Sequence, residues 1–490
     1  MPTSLPSRAR RTGHRATFAV LAAAVAAFAL LQSLVTPVLA TIQHDLDTDQ
    51  ATVTWVLTAY LLSASIFTPI VGRIGDAVGK ERMLLATLVA LGAGSLLAAL
   101  ATDVRVLILA RVVQGIGGGV LPLAFGIVRD EFPREKVAGA VGVLAALTAV
   151  GGGLGIVLAG PIVDALDYHW LFWIPLAIVV LAAIATYALV PPSPVRTPGR
   201  ISVLPAALLS AWLVCLLLAL SEGPAWGWAS ARVLGLLVAA VVLAAGWVAA
   251  EQRSAAPLID LQMMRLPAVW TTNLVALLVG VGMYATFGFL PQFLQTPEEA
   301  GYGFGSSVTE SGLILLPWSA TMFAVGLASG RLVAGYGAKA VVLAGTTVAV
   351  VPFLLMAFAH GAVWQLCLAT AVLGVGFGLA FSAMSSLIVD AVPSEQTGVA
   401  SGMNANIRTI GGSIGAAVMS SIVTANATPE GLPTEAGYTW GFAALAGAGV
   451  AAALAALLIP RVRQTAHSDE PEHPELALVA AGTVVGDKSE

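Results

Sequence analysis

Gly72-Arg73-Ile74-Gly75-Asp76-Ala77-Val78-Gly79 returns 258 positions later as Gly330-Arg331-Leu332-Val333-Ala334-Gly335-Tyr336-Gly337. A second pair, Asp130-Glu131-Phe132-Pro133-Arg134-Glu135 and Asp390-Ala391-Val392-Pro393-Ser394-Glu395, repeats with a shift of 260. Each stretch interrupts an otherwise apolar chain, so what repeats is charge placed between hydrophobic runs. Two like halves with short charged connections at matching places predict two helical bundles related by pseudo-symmetry. Such bundles characteristically hold a small molecule between them and rock about it.

Composition sets the solvent. Of 490 residues, 58% are hydrophobic and 10% charged, against roughly 25% charged in a soluble domain. So little charge cannot coat a water-facing surface, and lipid must be the main solvent. The net charge of −4 hides a strong asymmetry of placement. Cys215 and Cys367 each lie inside an apolar run and read as small hydrophobes without redox duty.

A helix needs roughly 20 apolar residues to cross about 30 Å of hydrocarbon. Fourteen such runs occur, near 17–40, 51–71, 83–101, 104–128, 138–163, 169–190, 203–220, 229–250, 269–294, 310–332, 339–359, 364–388, 397–423 and 438–459. The first follows Arg8, Arg10, Arg11 and Arg15 as a signal peptide would. It runs on to about Ala40 without a clean small-residue cleavage site, and the repeat needs it to complete six spans, so it is expected to be retained. With the N-terminus in the cytoplasm, 19 of the 23 Lys plus Arg fall inside; Arg105 and Arg232 fall outside, and Arg111 and Arg408 lie within spans. The outer connections are acidic or neutral. This positive-inside pattern would scramble if a span were added or lost mid-chain.

The expected fold is therefore all-α and polytopic: two pseudo-symmetric six-helix bundles plus two linking transmembrane helices. A cytoplasmic tail spans 1–16, the N-terminal bundle 17–190, the linker with spans 7 and 8 191–268, and the C-terminal bundle 269–459. Pro191, Pro192, Pro194 and Pro198 mark the break. The segment 460–490, rich in Pro, Glu and Asp, is expected to be a disordered cytoplasmic tail.

The segment Gly72 to Arg82 resembles the signature loop between the second and third spans of the major facilitator superfamily, specifically its fourteen-span drug:proton antiporter branch. Leu107-Ile108-Leu109-Ala110-Arg111-Val112-Val113-Gln114-Gly115-Ile116-Gly117 looks like the signature of its fourth span. Trp55, Tyr60 and Pro257-Leu258-Ile259-Asp260-Leu261 are also typical of that branch. The resemblance covers about 17–460 and implies secondary active transport across a cell membrane by alternating access. It further implies a conformational latch built on Gly72, Asp76, Gly79, Lys80 and Arg82, in which Asp76 contacts the opposite half near Gly398. On the residues alone, the loop's positive charge also serves topology, and its glycines permit a tight turn. The second copy carries Ala334 where Asp76 would be, so any latch is one-sided.

Arg111 lies inside a span, where a guanidinium costs several kcal/mol unless it faces protein or a wet cavity. Gln114 is on the same helical face. The resemblance implies proton coupling or cavity lining for Arg111; hydrogen bonding to backbone carbonyls is the structural alternative. Arg408, with Asn404 one turn before it, poses the same question. The antiporter-type helix retains Gly151, Gly155 and the pair Gly160-Pro161, with Ile156 where the resemblance implies proline. The branch usually carries an acid near the middle of span 1; here that place holds Gln32. No Asp or Glu lies clearly at mid-bilayer, leaving Asp164 and Glu310 as carboxylates for proton coupling if an outward cavity reaches them, and as solvated end residues otherwise. Gln32, Trp55, Tyr60, Asn273, Tyr284, Gln292, Trp318 and Asn404 are candidate lining of a central cavity. Aromatic groups with few fixed charges suit bulky hydrophobic or amphipathic compounds.

The chain has no Gly-rich Lys-Ser/Thr phosphate loop, which excludes direct ATP drive by that route. Its six histidines show no metal spacing, so no metal or cofactor is expected. Expected partners are a small-molecule substrate, protons as coupling ion and the lipid bilayer, with no nucleic acid and a monomer as the working unit. Three classes of function fit: an exporter of drug-like compounds in exchange for protons, a transporter of a metabolite, lipid or self-made antibiotic, and a polytopic enzyme or sensor. The last needs a polar catalytic cluster or a soluble signalling domain, and neither is visible.

Overall fold

Each copy of the charged repeat folds as two long helices joined at one glycine. Helix α2, Gln50–Val78, ends at Gly79, whose φ of 124° an L side chain rarely adopts, and α3, Lys80–Ala99, begins at once. In the second copy α10, Val308–Tyr336, ends at Gly337 with φ 80°, and α11, Ala338–Phe358, follows. The two corners sit at the repeat's own offset. The sequence expectation of a glycine-built loop over 72–82 is corrected: only Gly79 makes the turn. Gly72, Gly75 and Asp76 are helical.

The computed structural model describes residues 13–48, 50–193, 202–254, 257–425 and 433–460. Among these are fourteen helices long and apolar enough to cross a membrane, and the protein is an all-helical multi-pass membrane protein. The other ten are α1 (His14–Leu34), α4 (Val104–Glu131), α5 (Arg134–Ala165), α6 (Trp170–Leu189), α7 (Val203–Trp226), α8 (Ala231–Arg253), α9 (Pro267–Gln295), α12 (Val363–Ala391), α13 (Thr397–Ala425) and α14 (Glu435–Leu457). Side-chain caps satisfy orphan N–H groups at several starts: Asp103 accepts from Arg105, Ser230 from Val233, and Ser307 and Glu310 form a reciprocal capping box. The expected tail beyond Pro460, the basic residues Arg8, Arg10, Arg11, Arg196 and Arg200, and Glu430 lie outside the described residues.

Small residues set which helices touch, as they must where lipid and protein interior are equally apolar. Helix α5 lies against α10 from end to end. A Cβ on Gly330 would stand 2.6 Å from the Gly139 Cα near one end, and one on Gly312 would stand 3.0 Å from the Val157 Cα near the other. Helices α2 and α13 meet along the part nearest the Gly79 corner, where a Cβ on Gly402 would stand 3.0 Å from the Thr68 carbonyl oxygen. We call the face holding that corner the basic face.

The hairpin α7–α8 does more than link. Its Leu209, Leu213, Leu217 and Trp247 share an apolar cluster with Leu258, Ile259, Met263, Val399, Met403 and Ile410. Helix α7 and the turn after it thereby cover the seam between α2 and α13: Thr58 Oγ1 and Ser221 Oγ are 3.4 Å apart, and Trp228 Nε1 donates to Ser421 Oγ at 2.9 Å. Glu251, buried at the end of α8, accepts from Trp247 Nε1 and from the backbone N–H groups of Leu258 and Ile259, fixing the turn that leads into α9.

Candidate functional site: a chamber closed at one face

The basic face is closed by a polar network joining the two halves. Asp76, 1% exposed, accepts from the N–H of Gly398 at 3.2 Å and of Val399 at 3.0 Å. These are orphan donors of the first turn of α13, so the carboxylate caps the opposite half's helix and meets the positive end of its dipole. The approach requires glycine on both sides: a Cβ on Gly72 would stand 2.5 Å from the Gly398 carbonyl oxygen, and a Cβ on Gly398 2.8 Å from Asp76 Oδ1. Lys80 Nζ lies 2.7 Å from Asp130 Oδ2 and 3.8 Å from Asp76 Oδ1, and donates to the Ser394 carbonyl at 3.3 Å. Arg129 adds bonds to Thr397 Oγ1 at 2.8 Å and to the carbonyl of Val389, its own counterpart at the 260 offset. The linker joins in, since Ser193 Oγ accepts from Lys80 N and Gln396 Nε2 donates to Asp260 Oδ2. Arg82 stands outside this network, exposed and 3.6 Å from Glu81.

Beyond the closure lies a chamber of about 620 Å³ bounded by both halves and by α7. That volume takes a drug-sized molecule. Its N-terminal wall includes Gln32, Tyr60 and Arg111; its C-terminal wall includes Tyr284, Phe287, Trp318, Asn406 and Arg408; α7 contributes Leu217, Leu220, Ser221, Pro224 and Ala225. Arg111 is fully buried, with its guanidinium carbon 4.2 Å from the Tyr60 ring centroid. Its Nε donates to the Val56 carbonyl at 3.1 Å and its Nη1 to Gln114 Oε1 at 2.8 Å, while Nη2 has no hydrogen-bond partner. Arg111 thus lines the chamber and hydrogen-bonds a backbone carbonyl with the same side chain. Arg408 is 4.2 Å from the Phe381 centroid, and its Nε is unpartnered. Trp318 stacks on Phe287 with centroids 4.3 Å apart, its indole N–H also unpartnered.

Several expected lining groups stand elsewhere. Gln114 turns away from the chamber and donates to Ser95 Oγ at 3.1 Å. Asn404 donates to Asn273 Oδ1 at 2.8 Å inside the C-terminal half, and lines only a water-sized void beside Arg408. Trp55 and Gln292 do not line the chamber, and Gln292 is exposed. The two carboxylates expected to couple protons are also displaced: Asp164 is exposed near the end of α5, and Glu310 is engaged in its capping box at an exposed helix start. Gly151, Gly155 and Gly160 admit close neighbours. A Cβ on Gly151 would stand 2.6 Å from Ala29 Cβ, while Gly155 faces Ser33 of α1 and Gly160 faces Thr309 of α10. Pro161 lies within unbroken α5. Sequence reasoning missed Arg129, Ser193, Phe381 and Asn406. For Arg129 a signal existed, because it precedes Asp130 at one of the repeat positions.

A model of the Major Facilitator Superfamily matches residues 21–416 and 272–488. The multidrug transporter protein MdtP of Bacillus subtilis is 28% identical over 376 residues, 76% of this chain and 68% of its own length. The tetracenomycin C resistance and export protein of Streptomyces glaucescens is 28% identical over 407 residues, 82% of this chain and 74% of its own. Among solved structures, the human organic anion transporter MFSD10 (TETRAN) superposes with a TM-score of 0.66 at 18% identity, covering 91% of this chain and 99% of that one, a likeness of fold.

Proposed function

We propose, on the premise that this chain belongs to the Major Facilitator Superfamily and is a membrane transporter and not an enzyme, that it exports bulky hydrophobic or amphipathic compounds by alternating access in exchange for protons. The observation that carries this reading is the pairing of a drug-sized chamber between the halves with a continuous closure at the basic face. A cavity sealed on one side and walled by two bundles is one end state of a rocking cycle. In the other end state the contacts of Asp76, Lys80 and Arg129 across the halves break, and the outer parts of α2 and α13 close instead. The names of MdtP and of the tetracenomycin C protein support the export of toxic compounds.

The basic face is cytoplasmic in this reading, both termini lie inside, and the cell membrane houses the protein as a monomer, since one chain forms the whole chamber. Proton exchange acts at the closure. Among the described residues lining the chamber there is no carboxylate, whereas Asp76 and Asp130 are buried in the contact that must break. Neutralising Asp76 weakens both of its bonds to α13, because a charged acceptor binds N–H groups more strongly than a neutral one. Gly72, Gly79 and Lys80 serve that latch by approach, turn and charge.

Purified protein in sealed liposomes tests the reading. Movement of an aromatic dye driven by an imposed pH gradient supports exchange. Equal movement without the gradient contradicts proton exchange, and no movement above protein-free vesicles contradicts transport of such compounds.

A further inference from the structure

Arg111 and Arg408 both line the chamber, one from each half, and neither makes an ion pair. Among the described residues that line it, no Asp, Glu, Lys or His accompanies them. Each guanidinium is instead laid against an aromatic face, Tyr60 for Arg111 and Phe381 for Arg408, which holds the cation without neutralising it. The carboxylates of this structure are used elsewhere: Asp76 and Asp130 in the closure, Glu251 in the turn before α9, Glu310 in a cap, Asp164 in an exposed position. Glu222, next to the lining Ser221 on α7, does not line the chamber.

Hydrogen-bond capacity is biased the same way. Arg111 Nη2, Arg408 Nε, the Trp318 indole N–H and Asn406 Nδ2 are buried donors without partners on side chains that line the cavity, against one unpartnered amide acceptor, Asn406 Oδ1, while the unpartnered hydroxyls of Tyr60 and Ser65 serve either way. A buried donor left unmatched is costly, and a buried unpaired charge more so. A chamber with two unneutralised cations and four free N–H donors against one free amide oxygen complements a negative, acceptor-rich ligand, because guanidinium and carboxylate or sulfonate oxygens make short charge-assisted bonds. Phe287 and Trp318, stacked together in the C-terminal wall, supply an apolar face for a ring system.

We propose that the cargo is an aromatic organic anion, whose acidic group is held by Arg408 and Arg111 and whose rings lie against Phe287 and Trp318. This rests on the transport reading above and narrows it to a charge class. Arg408 is the specificity-determining residue to test, because Arg111 also braces the backbone at Val56.

The experiment uses two dyes with the same three-ring xanthene core, anionic fluorescein and cationic rhodamine 123. Binding to the full chain in lipid nanodiscs is read by fluorescence anisotropy, and flux is read separately in liposomes. The expected result is fluorescein bound about tenfold or more tightly than rhodamine 123, with Arg408→Gln removing most of that preference and Arg408→Lys keeping it. An equal or tighter grip on rhodamine 123, or a preference that survives Arg408→Gln in a protein with unchanged melting behaviour, overturns the proposal. Binding of neither xanthene dye, nor of naphthalenesulfonate over naphthyltrimethylammonium, overturns it too. Fluorescein that binds selectively but never crosses the liposome sustains the charge selectivity and sinks the transport reading, so the two failures are distinct.

Discussion

Replacing Asp76 by Asn should unlatch the basic face. The carboxylate accepts two backbone N–H groups, from Gly398 and Val399, in a site where its own exposure is 1%. Hydrogen bonds to a charged group contribute about 1.5–3 kcal/mol, and neutral ones about 0.5–1.5. An asparagine keeps one weaker bond and turns its NH₂ toward the other N–H, so the closed state loses about 3 kcal/mol, with up to about 1 more from the α13 dipole. In the open state water satisfies the same groups, so nothing offsets the loss. Lys80 keeps Asp130 at 2.7 Å and is not left unpaired. A loss of about 3 kcal/mol lowers the ratio of closed to open protein roughly a hundredfold. The assay is pulsed electron–electron resonance in nanodiscs, with spin labels at the exposed positions Arg82 and Glu395 after Cys215 and Cys367 are replaced by Ser. The short distance of the parent should give way to a longer one in Asp76→Asn. Asp103→Asn, a change at the N-cap of α4 outside the closure, should leave it alone. Identical distance distributions in parent and Asp76→Asn would refute the latch.

Gly72→Val should act in the same direction by volume, since its Cβ would press on the Gly398 carbonyl in the closed state alone. Overpacking of this kind costs about 1–3 kcal/mol, so dye flux should fall while gel-filtration behaviour and helicity hold; undiminished flux would count against it. Glu251→Gln should weaken three accepted bonds around Leu258, Ile259 and Trp247, lowering stability by about 2 kcal/mol, seen as a reduced melting temperature in detergent. An unchanged melting temperature would show that the turn before α9 holds without it.

Span number and the repeat were legible because both depend on long-range placement of charge. A run of twenty apolar residues has one stable solution in lipid, and fourteen helices stand where fourteen runs were read, with bounds shifted by a few residues. The charged connections around Gly79 and Gly337 were legible for the same reason, but not that one glycine alone makes each turn. Which face of each helix looks inward was not. In water an amphipathic stripe marks the buried side, but here lipid-facing and protein-facing sides are both apolar. Gln292 and Asn404 therefore looked as eligible for the chamber as Gln32 does. Helix α7 read as a linker because nothing in Leu217, Leu220 or Ala225 distinguishes a chamber wall from a lipid-facing span. Glu310 illustrates a different gap: three residues after Ser307 it forms a capping box, a local pattern that outranks its apparent depth.

The account stands most directly on the chamber being the route of passage. Ser413 lines it, and Ser413→Cys in a background lacking Cys215 and Cys367 offers a single thiol there to be plugged with a bulky maleimide. Dye flux into sealed liposomes should proceed before modification and stop after it, with the Cys-free parent unaffected by the reagent. Flux that continues through fully modified Ser413→Cys protein would contradict passage through this chamber.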